Sequence, residues 1–265
     1  MSISNKISVV IITFNEEVNI ERCLKSIENI ADEIIILDSF STDNTKNICS
    51  NYNNVIFHER NWENYSASKN WGNSLTTHDW ILSLDADEAI SLKLEKSILT
   101  LKTKGLQTAK FNRITNYCGH WVKFGGWYPD TKTRIFNKTS NEWIGTIHEE
   151  LNVNPSTKII HLIGDCLHYS YNSIAQHHQQ TEKFTTIQAQ DLYEKGKKSN
   201  VLKLILSPLV KFVKDYIIKL GFLDGRTGFT IAKISAYATY LKYKKLRLLH
   251  LGKKIPPYSS THNES

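Results

Sequence analysis

The first hundred residues alternate apolar strand-like runs with helical segments, and this pattern limits the possible folds more than any other feature. Ile7–Thr13 is an almost continuous run of β-branched residues, as expected for a strand covered on both faces. Further strands are predicted over Glu33–Asp38, Val55–His58 and Asp79–Leu84. Because parallel strands need crossover helices between them, the sequence predicts an α/β domain with a parallel sheet.

Capping residues and periodicity predict where the helices lie. Asn15 is expected to cap a helix over about residues 16–30, and Glu63–Leu75 is expected to form another. Residues 105–170 contain short extended pieces rich in Trp, Gly, Tyr and His. From Ser173 the pattern is helical. These boundaries predict a second, helical part of the chain.

The charge is concentrated in the last part of the sequence. Residues 196–265 carry 14 Lys and Arg against 3 Asp and Glu, whereas residues 1–195 carry 19 against 23. Val201–Leu223 is predicted to be a helix with lysines on one side and apolar residues on the other, and Pro208 marks a kink or a new start. Such a basic segment suits an anionic partner, and no nucleic-acid recognition motif accompanies it.

Polar residues follow the predicted strands where parallel sheets bind ligands. Thr13, Asp38 and Asp85 each lie at the carboxyl end of a predicted strand. Neither the G-x-G-x-x-G fingerprint of dinucleotide-binding proteins nor a P-loop motif occurs, which argues against both classes. Asp38 can accept hydrogen bonds from a ribose or a pyrimidine, or it can be a turn-forming residue.

The run Leu84-Asp85-Ala86-Asp87-Glu88 is the strongest chemical signal. Two carboxylates separated by one small residue can share a hard divalent cation and leave positions open for diphosphate oxygens. A cation there would stabilise the negative charge of a departing nucleoside diphosphate. A solvated acidic turn or a helix cap is the competing interpretation.

Three further groups are candidates for a site. Lys69, in Ala67-Ser68-Lys69-Asn70, can face a diphosphate or a carboxylate, or be a solvated helix lysine. Glu149, beside His148 in Gly145–Glu150, can take a proton from an attacking hydroxyl, or be part of an exposed acidic pair. The glycine-flanked aromatics can form a sugar-stacking platform or belong to the core; they are Trp121, Trp127 and Tyr128.

The order of these motifs resembles that of the family 2 glycosyltransferases, which are inverting enzymes with a GT-A fold. The chain presents T-F-N-E-E, D-S-F-S-T-D-N-T, A-S-K-N, L-D-A-D-E and I-H-E-E in sequence, over about residues 6–150. A W-Y-P-D-T-K-T-R-I-F stretch precedes the last motif. In this the chain resembles the subgroup that includes lipopolysaccharide inner-core glucosyltransferases, which have a similar stretch at this place.

The resemblance implies a role for each matching residue. It implies nucleotide-sugar binding by Thr13, Asn15, Glu17, Asp38, Lys69, Asp85 and Ala86, with Glu16 nearby. It implies Mg²⁺ or Mn²⁺ binding by Asp85 and Asp87, with Asp87 also counted as catalytic. It implies Glu149 as the catalytic base, with Glu150 as a rival because the family often has E-D where this chain has E-E. It implies an acceptor pocket shaped by Trp127, Tyr128, Arg134 and His148.

The expected organisation is a GT-A catalytic domain over residues 1–170, with its donor site in 6–90 and its acceptor and base region in 105–150. A helical, basic extension follows over 171–265, and its tail over 256–265 is expected to be disordered. The expected reaction moves a hexose, glucose, from a UDP-sugar to a lipid-linked glycan. The expected location is the cytoplasmic face of the inner membrane, with peripheral contact to anionic lipid.

Two alternatives remain at this stage. The first is a transferase that loads sugar onto polyprenyl phosphate, a class that often has a C-terminal transmembrane pair. The second is a non-catalytic nucleotide-sugar sensor or membrane scaffold, which would need no base.

Overall fold

The computed structural model describes residues 5–145 and 149–255, and the chain divides into two compact units. The first unit contains the chain up to Ile114 together with Asp130–Tyr169. The second contains Thr115–Pro129 and the chain from Ser170 on. The domain boundaries expected from the sequence, at residues 170 and 171, stay a prediction, and the tail over 256–265 lies outside the described residues.

The first unit is built on a mixed sheet with helices on both faces. Its strands are β1 (Ile7–Thr13), β2 (Glu33–Asp38), β3 (Val55–Glu59), β4 (Trp80–Asp85), β5 (Glu88–Ile90), β6 (Ala109–Tyr117), β8 (Asp130–Asn137), β9 (Glu142–Ile144), β10 (Glu150–Asn152) and β11 (Ile160–Tyr171). Its helices are α1 (Ile20–Ile27), α2 (Thr45–Cys49), α3 (Tyr65–Leu75) and α4 (Leu92–Lys104). Strands β6 and β11 end in the second unit, where β7 (His120–Val122) pairs with β6.

The strand order is β3-β2-β1-β4-β8-β6-β11-β5, and the first four strands are parallel. This confirms the α/β fold with a Rossmann-like parallel half. Strands β8, β6, β11 and β5 extend it with antiparallel pairs wherever a register is defined. A separate hairpin, β9 with β10, carries the chain toward Glu150.

The apolar strands are buried on both faces, as their continuous patterns predict. Val9 and Ile11 belong to the core cluster on one side of the sheet, whereas Val10 belongs to the cluster on the other side. Gly72 of α3 allows the helix to approach the sheet, because a Cβ there would lie 2.5 Å from Leu37 Cδ1. The sheet is therefore a rigid base for residues at its strand ends.

The register of the parallel strands brings the predicted strand-end residues together. Thr13 on β1 is paired with Asp38 on β2, and Ile12 is paired with Asp85 on β4. All three polar residues thus lie at one edge of the sheet, where such sheets bind ligands.

The first helix differs from the prediction. It starts at Ile20, and Asn15 does not cap it, because Asn15 has a positive φ of 53° and its side chain accepts a hydrogen bond from Thr42 N. Residues 16–19 form a turn instead, closed by Asn19 N donating to Glu16 O. The expected cap residue serves the neighbouring loop, which sequence spacing does not reveal.

The second unit is mostly helical. It contains α5 (Ile174–Glu194), α6 (Val201–Val213), a π-helical segment (Lys214–Ile218), a 3₁₀ turn (Gly221–Asp224) and α7 (Gly225–His250). Helix α7 packs against both α5 and α6. None of the helices within the described residues has the length and apolar character needed to cross a membrane.

The helix expected over Val201–Leu223 is interrupted rather than continuous. Pro208 lies inside α6, and the break comes later, at Leu220, whose φ is +58°. Gly221 and Gly228 then pack backbone to backbone, since a Cβ on Gly228 would lie 1.8 Å from Gly221 O. This close approach fixes the corner between the π-helical segment and α7.

Candidate active site

The loops that follow β1 and β2 are joined by reciprocal hydrogen bonds. Asn15 N donates to Ser41 Oγ at 2.8 Å, and Thr42 N donates back to Asn15 Oδ1 at 2.8 Å. Asn44 N donates to Glu17 Oε2 at 2.9 Å. The backbone of one loop is thus capped by side chains of the other, and this makes a preformed wall at the strand-end edge.

Thr13 and Asp38 form the floor beneath these loops. Asp38 is 2% exposed and accepts from both Ser41 N (2.6 Å) and Ser41 Oγ (2.5 Å). Burial raises the pKa of this carboxyl despite those hydrogen bonds. Thr13 Oγ1 is buried and has no hydrogen-bond partner within the described residues. Buried hydroxyls are normally satisfied, so this unpaired one is a candidate for a ligand contact.

Lys69 links the predicted metal motif to the predicted base. Its side chain is 1% exposed, and Nζ lies 3.0 Å from Asp85 Oδ1 and 3.1 Å from Glu149 Oε1. It also lies 4.8 Å from the centre of the Trp143 ring. The solvated-lysine interpretation is therefore wrong, and Lys69 contacts Glu149 across 80 positions of the sequence.

Arg134 occupies the other side of Asp85. Its Nη2 donates to Asp85 Oδ2 at 2.9 Å and to Glu88 Oε1 at 3.0 Å, and Arg113 Nη1 also binds Glu88 Oε1 at 2.9 Å. Burial acts to raise the pKa of Asp85, but Lys69 and Arg134 outweigh it and hold that pKa well below its usual range. Asp85 is therefore a fixed anion, held on both oxygens.

Helix α3 positions the hairpin that leads to Glu149. Ser66 Oγ donates to Gly145 O at 2.5 Å, and Asn70 exchanges two hydrogen bonds with the Trp143 backbone, at 2.8 and 2.9 Å. One face of α3 thus contacts the chain on both sides of residues 146–148: Ser66 binds Gly145, and Lys69 binds Glu149. The roles of Ser66 and Asn70 depend on these distant partners, so the A-S-K-N motif alone does not predict them.

Asp87 faces a different partner from Asp85. His168 Nε2 lies 3.1 Å from Asp87 Oδ2, and Tyr169 N donates to Asp87 O at 2.9 Å. Burial lowers the pKa of His168, but the hydrogen bond and charge of Asp87 outweigh it, so the net shift is upward. The pairing of β11 with β5 sets His168 opposite Glu88 and so beside Asp87. Sequence spacing gives no signal for this contact between His168 and Asp87.

Glu16 adds a further acidic group near these carboxylates. Burial, together with the smaller effect of the charges of Asp87, Asp43 and Asp85, raises its pKa to about 7, although a 2.8 Å hydrogen bond from Asn19 opposes the shift. Glu16 is therefore close to several other carboxylates. Such a region favours a bound cation.

Comparisons with known proteins identify the family of the chain. Residues 8–175 match the sequence profile of Glycosyl transferase family 2. The chain belongs to this family. It is 32% identical over 265 residues to the "Uncharacterized glycosyltransferase RP128" of Rickettsia prowazekii, covering 93% of this chain and 88% of that protein. It is 25% identical to the "Lipopolysaccharide core biosynthesis glycosyltransferase LpsC" of Rhizobium meliloti, covering 94% and 95%.

Solved structures show partial backbone similarity. S. aureus TarS 1–349 in complex with UDP-GlcNAc has a TM-score of 0.46 and 15% identity, and the match covers 94% of this chain and 92% of that one. Glucosyl-3-phosphoglycerate synthase from Mycobacterium tuberculosis, solved with Mn²⁺ and UDP, has a TM-score of 0.35 and 21% identity, and the match covers 43% and 45%. The family match and the observed topology confirm the GT-A fold, and the chain is a glycosyltransferase.

The remaining predicted site residues have varied surroundings. Ala86 is 3% exposed within the core cluster, and Glu150 is exposed at the start of β10. Arg134, predicted for the acceptor pocket, is buried beside Asp85, so its acceptor role stays a prediction. His148 lies outside the described residues.

Trp127 and Tyr128 belong to the second unit. The Trp127 ring centre lies 6.0 Å from both Tyr117 and Tyr171, and 6.2 Å from His177. The ring is partly buried in this aromatic cluster, as the core interpretation predicts. Its stacking role toward a sugar stays a prediction.

The side chains near the end of β4 determine how the described residues could hold a metal ion. Within 5–145 and 149–255, no group of three or more His, Cys, Asp and Glu side chains is arranged to bind a metal ion by itself. Mg²⁺ often needs no such cage, because one or two carboxylates hold it while substrate phosphates and water complete the shell. Asp87, with the acidic Glu16 and Asp85 nearby, suits this mode.

Proposed function

We propose that the chain is an inverting hexosyltransferase that moves glucose from a UDP-sugar to a hydroxyl of a lipid-linked glycan, by direct displacement assisted by Mg²⁺ or Mn²⁺. The single observation that carries the proposal is the Lys69 bridge, which holds a strand-end carboxylate and a candidate base around one ammonium group. A non-catalytic sensor would need the strand-end carboxylate, Asp85, to bind the donor, but it would not need the base, Glu149.

The nucleoside would lie against the two joined loops. Thr13 Oγ1 is buried and available, and Asp38 sits in register beside it at the end of the next strand. These oxygens would accept hydrogen bonds from a uracil N–H or a ribose hydroxyl. Asn15 and Glu17 are engaged in holding the loops, so their contribution is to shape the wall.

The diphosphate would lie at the end of β4. The metal would be held chiefly by Asp87, with Asp85 and Ala86 fixing the bend on which Asp87 sits, and when bound it supplies charge neutralisation to the leaving diphosphate. His168 orients the Asp87 carboxylate through its 3.1 Å contact. Because Asp85 is held by Lys69 and Arg134, it preserves the position of the bend.

Glu149 would act as the base. The acceptor hydroxyl gives its proton to Glu149 as its oxygen bonds to the anomeric carbon, and the bond from that carbon to the diphosphate oxygen breaks, releasing UDP. Glu149 is 23% exposed in its side chain and lies at the Lys69 end of the site. Glu150 is exposed on β10 and has no such contact among the described residues, which favours Glu149 over its neighbour.

The acceptor assignment is supported by sequence relationship. LpsC, named for lipopolysaccharide core biosynthesis, is similar over nearly the full length of both chains. We extend this to a lipid-linked core glycan or a related cell-envelope glycan as acceptor, with Trp127, Tyr128, Arg134 and His148 contributing to its pocket. An enzyme acting on such a substrate would work peripherally at the cytoplasmic face of the inner membrane.

The test is a donor and acceptor screen on the full chain. UDP-glucose, UDP-galactose and UDP-GlcNAc are each incubated with Mn²⁺ or EDTA and with core glycolipid or polyprenyl phosphate. UDP release and the mass of the acceptor are measured. A hexose mass increase on the glycolipid, dependent on Mn²⁺, supports the proposal. A mass increase only on polyprenyl phosphate, or donor binding without any turnover, would refute it.

A further inference from the structure

Helix α6 in the second unit exposes a continuous apolar surface, which we term the α6 ridge. No residue of this helix is buried. The ridge consists of Leu202, Ile205, Leu206, Leu209 and Val210, which are 45–64% exposed. Isolated apolar residues on a surface are ordinary, but a contiguous ridge on one helix marks an interaction site.

The ridge continues past the end of α6. In the π-helical segment Ile217 and Ile218 are 56% and 71% exposed, and in the 3₁₀ turn Phe222 and Leu223 are 44% and 53% exposed. Lys214 and Lys219 lie in the same stretch of chain. An amphipathic element of this kind is too short to span a bilayer but can lie in its headgroup region.

The exposed side of α6 is not needed to hold the helix in place. The helix packs on α7, and Phe212 meets Phe229 of α7 with ring centres 5.9 Å apart. Lys211 forms a 2.9 Å ion pair with the buried Asp215. The ridge is therefore presented by an anchored helix, and its apolar side chains are free for a partner.

Positive charge accompanies the ridge. Lys203, Lys214 and Arg226 are exposed, and none has a carboxylate partner within the described part of the chain. They belong to the segment 196–265, which carries 14 Lys and Arg against 3 Asp and Glu. Unpaired cations beside apolar side chains match the chemistry of an anionic lipid surface.

A pocket, which we term the Arg226 pocket, lies between the π-helical segment and α7. It has a volume of about 470 Å³ and is lined by Tyr216, Gly225, Arg226, Phe229 and Thr230. It opens at the first turn of α7, where Gly225 N donates to Phe222 O and the Asp224 carboxylate accepts from Phe124 N at 2.8 Å. The exposed Arg226 guanidinium favours an anion at this pocket, and the aromatic walls suit an acyl chain or glycerol backbone.

We propose that the α6 ridge and the Arg226 pocket form one binding surface for an anionic phospholipid bilayer, in which the ridge enters the headgroup region and Arg226 binds a lipid phosphate. The inference rests on the peripheral location in the proposed function and names the surface responsible. A second copy of the chain is a poorer occupant, because a two-fold interface would bring the unpaired cations of both copies together.

The experiment is vesicle co-sedimentation of the full chain. Vesicles of phosphatidylcholine alone are compared with vesicles containing phosphatidylglycerol at a 7:3 ratio, at low and at raised salt, and inorganic phosphate is added as a competitor. Binding to the anionic vesicles that weakens with salt is expected, and phosphate at millimolar concentration should leave most of it intact because the ridge also contributes.

Two sets of variants separate the contributions. Leu202→Ser/Leu206→Ser/Leu209→Ser should lose at least about tenfold in vesicle affinity. Lys203→Ala/Lys214→Ala/Arg226→Ala should lose on the order of 100-fold, since each cation contributes about tenfold or less near such a surface. Matched controls come from the first unit: Leu92→Ser/Ile163→Ser, at residues 77% and 66% exposed, and Lys93→Ala/Lys96→Ala. These controls should bind as the unmodified chain does.

Three results would overturn the inference. They are equal binding to neutral and anionic vesicles, equal losses in the control variants, and a dimer in solution that the leucine variants dissociate while no vesicle is bound. Donor hydrolysis without vesicles is measured in parallel. If vesicle binding holds and no UDP-sugar is turned over, the proposed function fails while the lipid surface stands. If UDP-sugar is turned over and no vesicle is bound, the proposed lipid surface fails while the proposed function stands.

Discussion

Asp85 and Glu149 share one ammonium group, that of Lys69, although they come from different elements of the first unit. Nζ lies 3.0 Å from Asp85 and 3.1 Å from Glu149. Because Lys69 is 1% exposed, water competes weakly for these contacts and the three groups are fixed relative to one another. The position of the candidate base is thereby set by the same helix that secures the end of β4.

Lys69→Met should damage both stability and transfer. Asp85 would keep Arg134 but lose one of its two cations in a largely buried site, which is expected to lower the free energy of unfolding by about 3 kcal/mol. Transfer should fall at least about 100-fold, because Glu149 would no longer be held. Urea unfolding and UDP release measure the two effects.

Lys102→Met is the matched control for that change. Lys102 is also partly buried and paired, lying 2.6 Å from Asp32, but it contacts none of the site carboxylates among the described residues. It should lose stability while keeping its rate per folded molecule. A normal rate in Lys69→Met would show that the bridge has no role in catalysis.

Glu149→Gln should abolish transfer and spare donor binding. The amide has nearly the same shape and still faces Lys69, but it cannot take a proton, so a loss of about 10²–10⁴-fold is expected. Glu150→Gln is the neighbouring control and should retain most activity, since Glu150 is exposed. Single-turnover kinetics with saturating donor distinguish the two variants. If the losses are reversed, Glu150 is the base.

The sequence predicted the parallel half of the fold because its strands carry the strongest local signal. Ile7–Thr13 is apolar at nearly every position, and only a strand covered on both faces buries such a run. Thr13, Asp38 and Asp85 could then be placed at one edge by the general behaviour of parallel sheets. The register confirms that placement.

The connections between distant elements could not be predicted in the same way. His168 reaches Asp87 only because β11 pairs with β5, and Asn70 holds Trp143 only because a hairpin folds over α3. Neither partner leaves a local pattern in the sequence. Asn15 is the opposite case. Its position predicts a helix cap, but its side chain instead accepts a hydrogen bond from Thr42 N.

Thr13→Val should stabilise the chain and weaken the donor. The Thr13 hydroxyl is buried without a partner within the described residues, so removing it is expected to raise the free energy of unfolding by about 1 kcal/mol. If the hydroxyl binds the nucleoside, the KM for UDP-sugar should rise several-fold. Ser83→Ala is the control, because Ser83 Oγ is equally buried and unpartnered but lies within β4. It should stabilise the chain and leave KM unchanged.

Asp87→Asn should remove the metal-dependent part of donor binding. A neutral amide is a weaker ligand for a hard cation, so the increase in Tm produced by UDP with Mn²⁺ should shrink to that produced by UDP alone. Asp79→Asn, an exposed aspartate just before β4, is the control and should keep the full increase. An unchanged Mn²⁺ effect in Asp87→Asn would place the metal elsewhere.

His177 should make the second unit less stable in mild acid. Burial lowers the pKa of His177 from 6.5 to about 4, with a smaller contribution from His178, and its Nδ1 lies 2.9 Å from the Tyr117 hydroxyl. Between these two pKa values the unfolded chain binds more protons than the folded chain. The stabilisation is therefore complete above about pH 6.5 and is lost progressively as the pH falls toward 4. About 2 kcal/mol should be lost from this residue between pH 7 and pH 5.

His177→Gln should flatten the dependence of unfolding free energy on pH, whereas His178→Gln, at an exposed position, should leave most of it. Urea titrations at pH 7, 6 and 5 measure the slopes, and equal slopes for His177→Gln and the unmodified chain would show that another group titrates.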